Sequence, residues 1–383
     1  MKLFTAFGEA CKSYGGPGNP SVSGFSSLDP ERGCDLAHAN DLVRKLTDHI
    51  KGMGSVRDMK GVVTRLERVD GLWRLSVDAS CASADAEGGY SGATSGASSS
   101  SLLAERVFLA TGSHPRTFAP AEAPHVLSAA RTGAPAAQEL HLDLGLSPRA
   151  LAAGIRPEDE VAVVGASHSA VLVLKNLHEL PAAARPRRIV NFYRSGLRYA
   201  EYKDDEHGQW ILRDNTGLKG VAADWARVHL EEGMQGAVPG LQRVRLSGQP
   251  GQDQEVYDRA LKGCTKIIYA VGGWPRSPLC GPSTRSAAKL PCSALAPAAG
   301  YDRNRLPELV AEGGRVVDSE AVRHDRSTGQ LLEGSGAPLP GLFGFGIAFP
   351  ELWTDPYGNQ EDSVGMWKFM RYLKKAVPEA LGK

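Results

Sequence analysis

Apolar residues occur in short runs along the chain, and two of these runs end in nearly the same sequence. The run RVFL precedes ATGSHPR at residues 110–116, and the run KIIY precedes AVGGWPR at residues 270–276. A short apolar run that stops at glycine and proline is typical of a buried strand followed by a turn. We therefore predict a strand before each copy. The residues that follow these strand ends are Thr111, Gly112, Gly272 and Gly273.

A strand, turn and helix pattern lies between the two copies. Residues 161–177 read VAVVGASHSAVLVLKNL, in which an apolar run meets a turn of small residues and then apolar positions at helical spacing. Such a turn directs backbone N–H groups and the positive end of the helix dipole at a pyrophosphate. Gly165 permits the sharp turn, Ala170 permits close packing, and Ser167 replaces the second glycine of the G-x-G-x-x-[GA] fingerprint.

The predicted pyrophosphate-binding residues are therefore Gly165, Ser167, His168, Ser169 and Ala170. We interpret His168 as an exposed residue of the turn. The alternative is a turn with a structural role only.

A second apolar strand, residues 189–193, indicates which dinucleotide this turn would bind. A site for NAD(H) needs Asp or Glu near the end of that strand, where the carboxylate binds the ribose 2′-hydroxyl. Residues 181–200 contain neither, and instead carry five arginines. An arginine fork suits a 2′-phosphate, so we predict NADP(H), with Arg194 as the best-placed ligand. The alternative is a set of solvated surface arginines.

Patterns upstream of this unit predict a helix at residues 37–54 and a β-hairpin at residues 59–80 with VDG at its turn. The predicted partner strand of the hairpin is ERVFLATG, residues 105–112. The Gly/Ser/Ala-rich segment between them cannot form a core, so residues 79–101 are predicted to be a flexible insertion.

Downstream, residues 214–232 predict a helix, and VYDRAL at residues 256–261 predicts a strand before KIIY. LPGLFGFG, from residue 339, predicts a further strand that ends at Gly346. Residues 361–377 predict an amphipathic helix with acidic residues at its start. Residues 201–210 and 349–362 are predicted to be polar and aromatic loops.

Composition limits the partners. The 383 residues include 44 basic and 43 acidic residues, for a net charge of +1, which gives no global electrostatic case for nucleic acid or an anionic membrane. No apolar run approaches the roughly 18 residues of a membrane span, and no secretory signal is present. The six cysteines include no close pair, so neither a zinc site nor a redox dithiol is indicated. We expect a soluble, intracellular, cytoplasmic protein whose partner is a small molecule.

The doubled strand ending, with the Gly165 turn between its copies, resembles the flavoproteins with two dinucleotide-binding domains. These include the pyridine nucleotide-disulfide oxidoreductases and the flavin monooxygenases. The resemblance implies an α/β, Rossmann-like FAD/NAD(P)-binding fold in which an NADP(H) domain, residues 120–285, is inserted in an FAD-type domain, residues 1–119 and 286–383. It also implies cofactor binding by Thr111, Gly112 and Gly346 in the FAD-type domain, and by Gly272 and Gly273 at the end of the NADP(H) domain.

Two features set the chain apart from the disulfide reductases in that group. Those enzymes usually carry Gly-Asp after the last strand, whereas here Gly346 is followed by Ile347. The absence of a paired-cysteine motif agrees, and both features favour the monooxygenase type.

The expected N-terminal glycine turn for FAD has no match in the sequence. In the predicted NADP(H) domain, a long stretch of chain separates the turn at Gly165 from the strand ending at Ala270. A turn at the same distance before Ala110 would fall among the first residues of the chain. GGPGN at residues 15–19 follows no apolar strand and is interrupted by proline, so we interpret it as loop. The FAD-type domain is therefore predicted to be incomplete at its N-terminus, which leaves FAD binding open.

Two functions follow from these observations. The first is an FAD-dependent, NADPH-using oxidoreductase, with monooxygenase chemistry as one form of it, in which NADPH delivers hydride to the flavin. The second is a non-catalytic NADP(H)-binding protein, or a truncated form that has lost FAD binding. No catalytic residue is assigned. Candidates for lining a substrate pocket are Trp353, Asp355 and Tyr357, and Glu206 and His207 have acid–base chemistry.

Overall fold

A computed structural model describes residues 36–79, 99–115, 118–206, 208–212, 215–231, 238–271 and 301–382. The helices are α1 (Leu36–Lys51), α2 (Pro124–Thr132), α3 (Leu142–Leu146), α4 (Pro148–Gly154), α5 (His168–Glu179), α6 (Gly220–His229), α7 (Pro250–Ala260) and α8 (Met366–Ala380). The strands of the first part of the chain are β1 (Val62–Val69), β2 (Leu72–Asp78), β3 (Ser99–Ala104), β4 (Val107–Leu109), β5 (Ser113–Pro115), β6 (Gln138–Leu140), β7 (Glu160–Val164), β8 (Arg188–Tyr193), β9 (Glu201–Asp205) and β10 (Gly208–Leu212). Those of the second part are β11 (Leu241–Arg245), β12 (Lys266–Tyr269), β13 (Tyr301–Arg303), β14 (Glu308–Val310), β15 (Val316–Val317), β16 (Arg323–His324), β17 (Gln330–Leu332), β18 (Pro338–Gly344), β19 (Leu352–Thr354) and β20 (Gln360–Asp362).

These elements belong to two compact units. The first unit takes its described residues from Met1–Thr111, Arg305–Glu351 and Gly365–Lys383, and the second from Gly112–Asn304 and Leu352–Val364. The chain thus passes from one unit to the other inside the first copy of the repeated sequence. The domain boundary predicted at residue 285 lies outside the described residues, and the segment Leu352–Val364, predicted within the FAD-type part, clusters with the second unit.

The second unit is built on a five-stranded parallel sheet in the order β11-β8-β7-β12-β6. All five residues of β7 are buried, as expected for the middle of a parallel sheet that is covered on both faces. Val161 and Val163 pack with helices α5 and α6 on one face, and Ala162 and Val164 pack with α7 on the other. This is the α/β, Rossmann-like arrangement that the sequence predicts.

The first unit contains two sheets, ordered β15-β14-β1-β2-β3 and β16-β17-β18-β4. The predicted hairpin is confirmed as β1 and β2, and Asp70 (φ 50°) and Gly71 (φ 75°) form its turn. Its predicted partner strand is wrong. β3 pairs with β2, whereas β4 lies in the other sheet, parallel to β18.

The end of the predicted flexible insertion is also a strand, because Ser99–Ser101 belong to β3 and pair through their backbone with Ser76–Asp78. Residues 80–98 lie outside the described residues.

Three further expectations need correction. VYDRAL forms the C-terminal part of helix α7, where Tyr257 and Ala260 are buried one turn apart, and the strand that precedes it is β11. β9 pairs with β10, and β19 with β20, as antiparallel strands, where the sequence predicts loops. Helix α8 begins at Met366, since the predicted N-terminal acids, Glu361 and Asp362, lie in β20.

The other predicted helices, α1 and α6, and the strand endings at β4, β12 and β18 are confirmed. Within the described residues, no helix combines the length and apolarity that a membrane crossing needs.

Candidate functional site

The turn after β7 requires glycine at residue 165. Gly165 has φ +137°, a conformation that residues with a side chain rarely adopt. A β-carbon on Gly165 would lie 2.2 Å from the carbonyl oxygen of Ala270, at the end of the neighbouring strand β12. It would also lie 3.2 Å from the β-carbon of Ala170, which is fully buried beneath the turn. Glycine therefore permits strand, turn and helix to pack closely here.

Helix α5 starts directly after this turn. Ser167 precedes its first residue in an extended conformation, and the Ser167 carbonyl accepts a hydrogen bond from the N–H of Val171 at 3.0 Å. The Ser167 side chain makes no cap hydrogen bond to the start of the helix, and its hydroxyl lies 3.5 Å from the carbonyl oxygen of Ala270. Since this side chain does not occupy the helix N-terminus, the first N–H groups and the helix dipole are suited to an anion.

The end of strand β8 supplies arginine beside the turn. β8 runs parallel to β7, with Phe192 paired to Val164, so Arg194 follows its strand at the edge where Gly165 follows β7. Arg194, Ser195 and Arg198 line the same cleft as the turn. An arginine fork and a hydroxyl near the end of this strand suit a phosphate ester.

Residues 215–218 form a further rim of the cleft. Leu218 donates its N–H to the carbonyl of Arg198 at 2.7 Å, and Ala200 donates to the carbonyl of Leu218 at 2.9 Å. Gly217 has φ +80°, and a β-carbon on it would lie 2.5 Å from the backbone nitrogen of Ala200. The rim is therefore held by backbone pairing with the segment that carries the arginines.

The cleft between these elements has a volume of about 480 Å³, which lies within the range of small-molecule and cofactor sites. Its lining residues are Val164–Ser169, Phe192–Gly196, Arg198, Asn215–Leu218, Leu246, Ala270 and Val271.

The lining of the cleft includes one imidazole, of His168, and two guanidinium groups, of Arg194 and Arg198. The protein around His168 lowers the pKa of its imidazole, and the nearby positive charge of Lys219 lowers it further. His168 is therefore neutral at pH 7, and Arg194 and Arg198 are the permanent cations among the lining residues.

A buried polar residue, Asn191, lies under the turn. Its side-chain nitrogen donates to the carbonyl oxygens of Gly165 at 2.8 Å and Val163 at 3.2 Å. Its side-chain oxygen lies 3.4 Å from Nε of Arg243. Asn191 is not among the residues predicted for the site, although its side-chain amide is the only one in the run IVNFY.

The structure brings five predicted residues together in the cleft: Gly165, Ser167, His168, Ser169 and Arg194. Ala170 lies beneath them in the core. Gly272 and Gly273, together with His207, lie outside the described residues.

Thr111 and Gly346 lie in the first unit, at the ends of the parallel strands β4 and β18. The N–H of Phe345 donates to the carbonyl of Leu109 at 2.9 Å, and Gly346 has φ +81°. Gly112 (φ +69°) is the first residue of the second unit and is absent from the lining of the cleft. Cofactor binding by these residues stays a prediction.

The residues suggested for a substrate pocket have other positions. Asp355 accepts hydrogen bonds from the backbone N–H groups of Tyr357 and Asn359, which closes the turn between β19 and β20. The hydroxyl of Tyr357 lies 2.8 Å from the carboxylate of Asp205. Trp353, Asp355 and Tyr357 do not belong to the cleft lining, and Glu206 is exposed at the end of the other hairpin.

Comparison with known proteins gives one relative that covers the whole chain. Monooxygenase AgnR1 of Paecilomyces divaricatus is 33% identical over 394 residues, which cover 100% of this chain and 85% of the relative. The chain therefore belongs to the same family as this monooxygenase. No family model matches the sequence.

Solved structures show more distant likenesses. The thioredoxin reductase of T. acidophilum is 10% identical, with a TM-score of 0.34, over 89% of this chain and 78% of that chain. The ornithine N-hydroxylase of Kutzneria sp. 744 is 11% identical, with a TM-score of 0.35, over 81% of this chain and 74% of that chain. The sequence identities and TM-scores of these two structures are low, so membership of the family rests on Monooxygenase AgnR1.

Proposed function

We propose that this chain is an FAD-dependent, NADPH-using oxidoreductase of the monooxygenase type that acts on a small molecule. The observation that carries the proposal is the convergence, in one cleft, of the Gly165 turn, the N-terminus of α5 and the arginines after β8. The relationship to a monooxygenase supports the reaction class.

The residues of the cleft fit NADP(H). The glycine turn and the start of α5 would hold the pyrophosphate, because backbone donors and a positive dipole end converge there without a side chain in between. Arg194 and Arg198 would bind the 2′-phosphate, for which arginine offers several donors and a permanent charge. Bound NADPH supplies a hydride, and the protein supplies its orientation.

The described part of the first unit supplies less for FAD. The ends of β4 and β18 lie side by side, as the family resemblance implies for the FAD-type domain. Within residues 36–79 and 99–111, however, no strand leads through a glycine turn into a helix. Residues 36–79 and 99–111 therefore supply no pyrophosphate cradle for FAD, and FAD is proposed on family membership.

This difference between the two units favours a second function. A chain that keeps the NADP(H) cleft and does not retain FAD would be an NADP(H)-binding protein without redox activity of its own. The two functions predict different behaviour of the same purified chain.

The visible absorption spectrum of the purified chain distinguishes the two. We expect a flavin band, either as purified or after incubation with FAD and gel filtration, that bleaches when NADPH is added without oxygen. A chain that binds NADPH in a fluorescence titration and shows no flavin band would support the second function. A chain that binds neither NADPH nor FAD would contradict both functions.

A further inference from the structure

We infer that Asn191 is a positioning residue for the pyrophosphate turn: it orients the Gly165 peptide so that the next backbone N–H is directed away from the sheet. This inference rests on the proposed NADP(H) function of the cleft. Asn191 itself does not line the cleft, so it would act through the turn.

Burial makes the side chain of Asn191 dependent on its partners. Asn191 lies in β8 between strands β7 and β11 and is 1% exposed. Its neighbours Val190 and Phe192 are fully buried apolar residues. A buried amide without hydrogen bonds is costly, so a polar side chain at this position has a defined set of partners.

Those partners are the backbone carbonyls at the end of β7. The side-chain nitrogen of Asn191 has two N–H donors, and it donates to Gly165 at 2.8 Å and to Val163 at 3.2 Å. The Gly165 carbonyl comes after the last residue of β7, so the ladder of the sheet does not by itself determine its direction. The shorter of the two bonds is the one to Gly165.

The orientation of this carbonyl determines the orientation of the next donor. The peptide bond between Gly165 and Ala166 is trans and planar, so its C=O and N–H point in opposite directions. With the oxygen held towards Asn191, the N–H of Ala166 is directed away from it. Ala166 lines the cleft, where a backbone donor would meet the pyrophosphate.

Arg243 determines which way round the amide lies. Its Nε is 3.4 Å from the side-chain oxygen of Asn191, and its Nη1 donates to the carbonyl of Leu230 at 2.7 Å. Its guanidinium also packs over the ring of Tyr193, 4.2 Å from the centroid. Arginine has donors only, so the amide oxygen faces Arg243 and the amide nitrogen faces the turn.

The test compares two ligands on two variants. Asn191→Leu removes the amide at similar volume, and Asn176→Leu is a matched control, because Asn176 donates to the carbonyl of Gly145, away from the cleft, at 3.1 Å. The ligands are NADPH and adenosine 2′-phosphate, which lacks the pyrophosphate. We expect Asn191→Leu to weaken the binding of NADPH about tenfold and to change the affinity for adenosine 2′-phosphate by less than about twofold. We expect Asn176→Leu to change neither affinity.

A purely structural role of Asn191 would weaken both ligands equally, and that result would overturn the inference, as would unchanged NADPH binding. If Asn191→Leu does not fold, Asn191→Ser, which is too short to reach the Gly165 carbonyl, takes its place with the same expected split. Failure of the unaltered chain to bind NADPH would overturn the proposed function and this inference together. If the unaltered chain binds NADPH and the Asn191 variant binds it equally tightly, the inference is wrong and the proposed function stands.

Discussion

The backbone of Gly165 faces the carbonyl of Ala270 so closely that a β-carbon on Gly165 would lie 2.2 Å from its oxygen. These two residues directly follow neighbouring parallel strands, and Ala270 belongs to the second copy of the repeated strand ending. The close approach brings the ends of β7 and β12 together on the floor of the cleft.

Gly165→Ala should therefore lower the free energy of unfolding by about 2–4 kcal/mol, since the side chain meets backbone and the residue has φ +137°. It should also abolish measurable NADPH binding at moderate ligand concentrations. Urea denaturation and an NADPH fluorescence titration measure the two effects.

The control is Gly154→Ala at the end of helix α4, where no atom lies within 4 Å of the added β-carbon. It should leave stability unchanged or raise it by up to about 1 kcal/mol. Equal stability of the two variants would contradict the close-approach argument.

Arg194→Gln should weaken the binding of NADPH about 10- to 100-fold and change the affinity for NADH by less than about twofold, because only NADPH carries the 2′-phosphate. Dissociation constants for both nucleotides measure the effect. Arg156→Gln serves as the control, since Arg156 is highly exposed and lies outside the cleft lining. An equal decrease in affinity for NADPH and for NADH would show that Arg194 does not contact the 2′-phosphate.

NADPH affinity should rise as the pH falls through the titration of His168. The protein around His168 and the charge of Lys219 lower its pKa below 6.5 in the free chain. A bound pyrophosphate at the start of α5 would raise that pKa, so binding takes up a proton. Between the two pKa values the affinity therefore increases on acidification. His168→Gln should flatten this dependence, and an unaltered pH profile in that variant would contradict it.

Stability should fall on acidification because of His125. This residue is buried, its Nδ1 lies 2.8 Å from the hydroxyl of Tyr269, and burial lowers its pKa. The unfolded chain takes up the proton below about pH 6.5, whereas the folded chain takes it up only at lower pH. The contribution of neutral His125 to the free energy of unfolding is fully present above about pH 6.5. It is lost as the pH falls from there through the folded-state pKa.

For one histidine the slope reaches about 1.4 kcal/mol per pH unit at most. Melting curves across this range for the unaltered chain and for His125→Gln measure it. The variant should show a smaller slope, and an equal slope would assign the acid sensitivity to other groups.

Asp253→Asn should destabilise the second unit by about 2–3 kcal/mol. The buried carboxylate accepts hydrogen bonds from the N–H of Ser247 at 2.6 Å, from its hydroxyl at 2.8 Å and from the N–H of Gly248 at 3.0 Å. An amide cannot accept from all three. Glu255→Gln, at an exposed position of the same helix, should change little. Denaturant unfolding compares the two variants.

The floor of the cleft could be predicted from the sequence, because the residues that form it lie close together along the chain. The apolar run before Gly165, the small residues of the turn and the helical spacing after it are contiguous, and Arg194 directly follows its strand. The rim at residues 215–218 could not be predicted in this way. Residues 215–218 are held by backbone pairing with Arg198 and Ala200, a contact that no local pattern records.

The wrong secondary-structure predictions have physical causes as well. VYDRAL contains Val256, Tyr257 and Ala260, and a short segment with this composition suits either a strand or one side of a short helix. Ser99–Ser101 have little intrinsic strand preference and are ordered by backbone pairing with β2. Asn191 did leave a signal, a single amide in an apolar strand, but its partners depend on the fold.

The hairpin Leu352–Val364 has a consequence for how this chain can be divided. It clusters with the second unit, where the carboxylate of Glu361 accepts a hydrogen bond from the N–H of Asn215 at 3.0 Å on the rim of the cleft. Its flanking residues, Glu351 and Gly365, belong to the other unit. The second unit is thus formed from two separate stretches of the chain. A gene fragment covering residues 112–304 alone would omit the strand pair that contacts the rim of the cleft.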